Sequence, residues 1–122
     1  VKNMIIHKKP LFSDSYRKAI SSSKISLCFL RKINDDIHTT RSIEIPACEG
    51  FMIAERTDEH KILFKEDEEA VYFSSDQELL SKVKYYLKNY SARDKIRNQG
   101  FLRAVNSKYD YNNMINKILK YC

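Results

Sequence analysis

Glycine is nearly absent from this chain, with only two glycines among 122 residues. The phosphate-binding loop GxxxxGK[ST] and the dinucleotide fingerprint GxGxxG both need closely spaced glycines, so neither motif is present. No GxSxG segment occurs that would present a serine for acyl transfer. These absences exclude the glycine-based nucleotide loops and the nucleophile turn of the α/β-hydrolases.

Metal-ligand patterns are missing as well. The three cysteines form an odd set without metal-ligand spacing, which is typical of reduced thiols in a cytoplasmic protein; they are Cys28, Cys48 and Cys122. The three histidines are scattered, and no HExxH motif occurs. We therefore expect no metal and no other bound cofactor. Because no base for Cys48 can be identified, we expect it to be a small buried residue.

The chain also has no long apolar run. None approaches the roughly 18 residues of a membrane span, and the first residues lack the features of a secretory signal. The composition, 43% hydrophobic and 11% aromatic, is that of a globular protein. We expect a single cytoplasmic domain covering residues 1–122.

Positive charge dominates both ends of the chain. The net charge is +6, and residues 76–122 carry ten Lys or Arg against four acids, whereas residues 55–69 carry seven acids against three bases. A basic surface can attract nucleic acid, anionic membrane or phosphorylated ligands, although solvated lysines also keep a small domain soluble. One hypothesis is thus a non-catalytic basic binding module. No aromatic-interleaved basic motif occurs, so we expect no nucleic-acid partner and leave peripheral membrane contact open.

Short apolar runs alternate with helical patterns. The runs of strand length are residues 3–7, 25–30, 51–54 and 70–73, of which 25–30 is typical of a strand buried on both faces. Cap residues and apolar spacing predict helices that start near Ser13, Arg41, Thr57, Ser75, Ser91 and Asp110. Pro46 predicts a brief or distorted second helix, and Gly100 predicts an interruption of the fifth. The alternation predicts a parallel sheet with helices on both faces.

Two loops leave the carboxyl ends of predicted strands, where open parallel sheets bind ligands. Residues 31–40 lead into a helix through Thr39, Thr40 and Arg41, and a helix start can hold a diphosphate with its unpaired amides. Arg41 adds a forked donor for phosphate oxygens. Glu44 lies one turn further along the same helix face, and its carboxylate suits the adjacent hydroxyls of a ribose. The pattern favours a nucleoside diphosphate site.

The spacing alone leaves alternatives open. Arg41 and Glu44 also fit an ordinary i,i+3 surface pair, worth a few tenths of a kcal/mol. Arg56 and Thr57, which follow the next strand, fit either a charged helix start or a loop that lines the same ligand cleft.

The stretch HTTRSIEIPACEGFMIAERTDEHKILFKEDEEAVYF, together with the later ELLSKVKYYLKN, resembles the C-terminal domain of the CgeB-like, group 1-type glycosyltransferases. The pattern of that family runs Thr-x-Arg-x-Phe-Glu-Ile-Pro-Ala-x-Gly-Gly, then an apolar strand, Glu-Arg-Thr-x-Glu-His and Phe-x-x-Gly-x-Glu-Ala. The likeness covers about residues 10–120.

The resemblance implies the C-terminal half of a GT-B fold, a Rossmann-like three-layer α/β/α domain with a small parallel sheet that ends in several helices. It implies a nucleoside diphosphate sugar as donor, a glycan, lipid-linked glycan or protein as acceptor, and no metal, since basic residues and helix dipoles offset the charge of the leaving diphosphate. The ribose would bind Glu44, and the other site residues it implies are Thr39, Thr40, Arg41, Arg56 and Thr57.

The chain departs from the family pattern in several places. Ile43 replaces an aromatic residue, which is a harmless apolar exchange. Glu49 stands where the family commonly has the first of two glycines, and Asp67 or Glu68 occupies the region of a later glycine. The N-terminal GT-B domain, which would hold the acceptor, is missing from this chain. We therefore expect the isolated chain not to transfer sugar; a degenerate half-enzyme that serves as a partner domain is the remaining alternative.

Overall fold

The computed structural model describes Met4, Ile6 and residues 8–121. The strand predicted at residues 3–7 falls mostly outside the described residues. The helices are α1 (Ser13–Ser22), α2 (Thr40–Ala47), α3 (Asp58–Leu63), α4 (Asp76–Lys88), α5 (Tyr90–Asn106) and α6 (Tyr111–Leu119). The strands are β1 (Ser26–Cys28), β2 (Met52–Glu55) and β3 (Val71–Phe73), and a 3₁₀ turn occupies Lys32–Asn34.

The three strands form one parallel sheet in the order β1-β2-β3. Leu27 lies beside Ile53, which lies beside Val71, so the side chains of all three strands alternate in register. Helices follow each strand, as right-handed parallel connections require. The predicted α/β class with a small parallel sheet is confirmed, and the arrangement agrees with a Rossmann-like three-layer fold.

Each face of the sheet has its own hydrophobic core. On one face the buried residues of the strands pack with helices α1, α2, α3 and the end of α5; this core includes Met52, Ala54, Tyr72, Ile45 and Phe64. On the other face they pack with α4 and the first half of α5, in a core that includes Ile53, Val71, Phe73, Tyr86 and Ile96. Two covered faces explain why Met52–Ala54 of β2 and all of β3 are buried, with no alternation.

Strand β1 does not meet the expectation of burial on both faces. It is only three residues long and lies at one edge of the described sheet. Cys28 faces the first core and is fully buried, whereas Leu27 is 41% exposed and Phe29 is 49% exposed on the opposite face. The continuous apolar run predicted full burial, but α4 and α5 cover that face only over β2 and β3.

Most predicted helix starts are confirmed by their caps. The hydroxyl of Thr57 accepts the amide of His60 at 3.0 Å, and Asp110 accepts the amide of Asn113 at the same distance. Helix α1 is also confirmed, although it begins one residue earlier than a cap at Ser13 predicted, because Phe12 is the N-cap and Ser13 already belongs to the helix. Among the described residues no interruption occurs at Gly100, so α5 is one continuous helix.

Candidate functional site

Two loops meet at the edge of the sheet where the strands end. The carboxylate of Glu55, at the end of β2, accepts the amide of Leu30 at 2.8 Å. The hydroxyl of Thr57 donates to the carbonyl of Ile37 at 2.7 Å. These contacts join the β1–α2 loop to the β2–α3 loop, so both border the same edge, as the sequence predicted.

The first turn of α2 begins at this edge. Thr39 is the N-cap, in an extended conformation, and its own amide donates to Ser42 Oγ at 3.0 Å. Thr40 and Arg41 follow as the first helical residues, and both are exposed. Amides in a first turn have no partner inside the helix and lie at the positive end of the helix dipole. The turn therefore presents donors and positive charge to solvent.

Glu44 lies one turn further along α2 and is partly buried. Its Oε2 accepts the hydroxyl of Tyr16 on α1 at 3.0 Å. Among the salt bridges of the described residues none joins Arg41 to Glu44, so the simple i,i+3 surface pair is not formed. A carboxylate offers about four lone-pair positions, so one hydrogen bond leaves capacity for further donors.

The carboxylate of Glu44 helps to raise the pKa values of two neighbouring residues, Tyr16 and Cys48. Burial, and then the hydrogen bond to Glu44, raise the pKa of Tyr16 to about 12, while the charge of Arg41 lowers it. Burial, and then the charge of Glu44, raise the pKa of the Cys48 thiol. Tyr16 is therefore a hydrogen-bond donor at neutral pH, and Cys48 is a protonated thiol rather than a nucleophile.

Arg56 is occupied by the protein itself. Its guanidinium donates to Glu66 at 2.6 Å and to Glu78 at 2.7 Å, and it also contacts Ser74 and the carbonyl of Tyr72. Hydrogen bonds to Glu78 and then to Glu66 raise the pKa of Arg56, and the bond from Arg56 lowers that of Glu78. Arg56 thus ties β2 to β3 and to α4.

The sequence-predicted residues fall into two groups in the structure. Thr40, Arg41 and Glu44 lie together on one side of α2, near its start, whereas the hydroxyl of Thr39 lies 3.8 Å from the buried Sγ of Cys28. The side chains of Arg56 and Thr57 are engaged in contacts that hold the neighbouring loops together. Sequence reasoning missed Ser42, within α2 itself, and also Tyr16 and His60, which contact α2 from elsewhere in the chain. A serine three residues after the Thr39 cap was a local signal for Ser42.

Other kinds of site find no support in the described part of the chain. No group of three His, Cys, Asp or Glu side chains within it is arranged to hold a metal ion. None of the described helices is both long and apolar enough to cross a bilayer.

Comparison with known proteins identifies the family. The model of the glycosyl transferase-like family matches residues 2–120. No curated protein and no solved structure matches the chain. Because the family model covers nearly all of the sequence, this chain belongs to the glycosyl transferase-like family and is a glycosyltransferase domain.

Proposed function

We propose that this domain binds the donor of a glycosyltransferase, a nucleoside diphosphate sugar, along the exposed side of α2. The observation that carries the proposal is the partly buried carboxylate of Glu44, one turn from a helix start that faces solvent. Within the family, the segments TTRSIEIPA and ERTDEH favour the CgeB-like subtype.

The diphosphate would bind at the first turn of α2. The amides of Thr40 and Arg41 and the positive end of the helix dipole attract an anion without any glycine loop. Thr40 adds a hydroxyl donor, and the exposed guanidinium of Arg41 adds a forked, charge-assisted contact. Thr39 would contribute as the N-cap that shapes this turn. Stabilising the charge of the leaving diphosphate would be this domain's contribution to sugar transfer, with no metal required.

The ribose would bind at Glu44. Two adjacent hydroxyls can donate to the oxygens of one carboxylate, and Tyr16 fixes that carboxylate by donating to Oε2. Arg56 and Thr57 belong to the loop that borders the cleft and would shape it through their contacts with Glu66, Glu78 and Ile37.

Sugar transfer would need a second domain. The acceptor would bind an N-terminal GT-B domain that faces this one across the cleft, and it would be a glycan, a lipid-linked glycan or a protein. We expect the reaction to take place in the cytoplasm. We expect this chain alone to bind donor without transferring sugar.

The test is a calorimetric titration of the chain with UDP, GDP and ADP, and with the 2′-deoxy form of whichever nucleotide binds. We expect binding of one ribonucleotide and weaker binding of its deoxy form. Glu44→Gln should weaken ribonucleotide binding about tenfold, because charged hydrogen bonds contribute about 1.5–3 kcal/mol. It should also remove the preference over the deoxy form.

Glu49→Gln is the matched control, because it removes an exposed charge just beyond the other end of α2. It should leave both affinities unchanged. A wild-type chain that binds none of the three nucleotides at millimolar concentration contradicts the proposal, as does a Glu44→Gln variant with unchanged affinity.

A further inference from the structure

A buried chain of hydrogen bonds lies directly beneath the first turn of α2. Ser42 Oγ lies 2.7 Å from His60 Nε2, and His60 Nδ1 lies 2.6 Å from the carbonyl oxygen of Glu55. Ser42 Oγ also accepts the amide of Thr39 at 3.0 Å. Ser42 and His60 are both 0% exposed. This chain of contacts connects the N-cap of α2 to the end of β2.

The donor at each link follows from the chemistry of its ends. The carbonyl of Glu55 can only accept, so the proton of neutral His60 lies on Nδ1 and Nε2 carries a lone pair. The hydroxyl of Ser42 must therefore donate to Nε2, and its oxygen remains free to accept the amide of Thr39. The three hydrogen bonds can therefore run in one direction only. The Thr39 amide donates to Ser42 Oγ, the Ser42 hydroxyl donates to His60 Nε2, and His60 Nδ1 donates to the carbonyl of Glu55.

His60 is also fixed from its other sides. Its ring stacks on Tyr72 with centroids 5.6 Å apart and an interplanar angle of 1°. Its amide donates to Thr57, and its carbonyl accepts the hydroxyl of Tyr72 at 2.6 Å. A ring held in this way gives Ser42 one orientation. Since both side chains are inaccessible, the pair is not a nucleophile and base that act on a substrate.

We propose that Ser42 and His60 are positioning residues that fix the first turn of α2 relative to the end of β2, and so aim the amides of Thr40 and Arg41 at a bound diphosphate. This inference rests on the proposed donor site. Small displacements of positioned donors are costly, since a shift of about 1 Å can lower activity about a hundredfold. The pair would therefore serve the phosphate part of the ligand and not the nucleoside part.

The test compares the affinity for a nucleoside diphosphate with that for its nucleoside, using UDP, GDP and ADP with uridine, guanosine and adenosine. Ser42→Ala should weaken diphosphate binding about tenfold and change nucleoside binding less than about twofold, because only the phosphate-binding turn loses its anchor. Tyr109→Phe is the matched control, since it removes another tyrosine hydroxyl hydrogen bond at the same core, to the carbonyl of Leu63, and not one to Ser42 or His60. It should leave both affinities unchanged.

The outcomes separate the two proposals. If the wild-type chain binds no diphosphate, both the donor site and the positioning role are wrong. If it binds diphosphate but Ser42→Ala binds it equally well, or if Tyr109→Phe weakens binding as much, the positioning role alone is wrong.

The inference can also be tested on the wild-type protein, so the result does not depend on whether a variant folds. Nitrogen-15 NMR of the His60 ring should show the proton on Nδ1, and UDP, GDP or ADP, but not the matching nucleoside, should shift the Nε2 signal. A proton on Nε2, or a signal that no diphosphate moves, overturns the inference.

Discussion

Three acidic residues, Asp35, Glu49 and Asp67, adopt backbone torsions that favour glycine. Glu49, just beyond α2, has φ 60°, and Asp67, before β3, has φ 62°. Both lie in regions where the glycosyltransferases that this chain resembles commonly carry glycine. A side chain in this left-handed region costs about 1–2 kcal/mol, and Asp tolerates it better than Glu because its short side chain can hydrogen-bond locally. Both residues therefore add local strain to the backbone.

Glu49→Gly should stabilise the domain. The relief of strain exceeds the entropic cost of an added glycine, which is about 0.5–1 kcal/mol, so we expect a gain of about 0.5 kcal/mol in the free energy of unfolding. Asp67→Gly should give a smaller gain or none. Chemical denaturation of both variants measures the difference. A loss of stability in Glu49→Gly would contradict the assignment of strain to this position.

At Gly100 we expect the glycine itself to be the more stable choice. A helix-interior Gly→Ala exchange ordinarily gains about 1 kcal/mol, but a Cβ here would overlap the carbonyl oxygen of Glu69. Backbone cannot move aside as a side chain can, so we expect Gly100→Ala to lower the free energy of unfolding by about 1–3 kcal/mol. Lys95→Ala, exposed on the same helix, is the control and should change stability little. A stabilised Gly100→Ala variant would show that α5 does not approach the backbone of Glu69 closely.

At the scale of elements, α2 depends on a neutral histidine. Burial lowers the pKa of His60 below its ordinary value. A histidine with a lowered folded-state pKa contributes stability that is full above its unfolded pKa, about 6.5, and is lost as the pH falls below it. The carboxylates with lowered pKa values, Glu78 and Asp110, lose their contributions only in a more acidic range.

The melting temperature should therefore fall between pH 7 and pH 5.5, and His60→Gln should flatten that slope. Differential scanning calorimetry at matched ionic strength gives both profiles. The variant can be less stable at every pH without affecting the test, because the comparison concerns the slopes. Parallel slopes for the two proteins would mean that His60 is not held neutral in the folded chain.

The elements that the sequence predicted well are those formed by interactions between residues close in sequence. Apolar runs and local caps predicted β2, β3, α3 and α6 closely, since those signals lie within a few residues. The exposure of β1 depends on which helices cover it, and the continuity of α5 depends on the position of Glu69. Likewise the spacing from Thr39 to Glu44 predicted a site on one helix. Tyr16 contacts Glu44 from 28 residues away, and His60 contacts Ser42 from 18 residues away, beyond the reach of any periodic pattern.

At the scale of the whole molecule, the basic surface and the candidate donor site lie in different places, so their binding can be tested separately. Lys and Arg are plentiful on α4 and the first half of α5, whereas the candidate donor site lies at the start of α2, on the opposite face of the sheet. Binding of a polyanion by the basic helices should fall steeply with salt because counterions are released. The proposed recognition of a nucleotide at α2 would depend instead on a few placed groups.

The most direct measurement is therefore an amide NMR titration of the chain with UDP, GDP and ADP. The account predicts that one of them shifts the amide signals of Thr40 and Arg41, together with those around Glu44 and Tyr16, and that the matching nucleoside leaves the first two unmoved. Unmoved Thr40 and Arg41 signals at millimolar nucleotide, or shifts confined to α4 and α5, would contradict it.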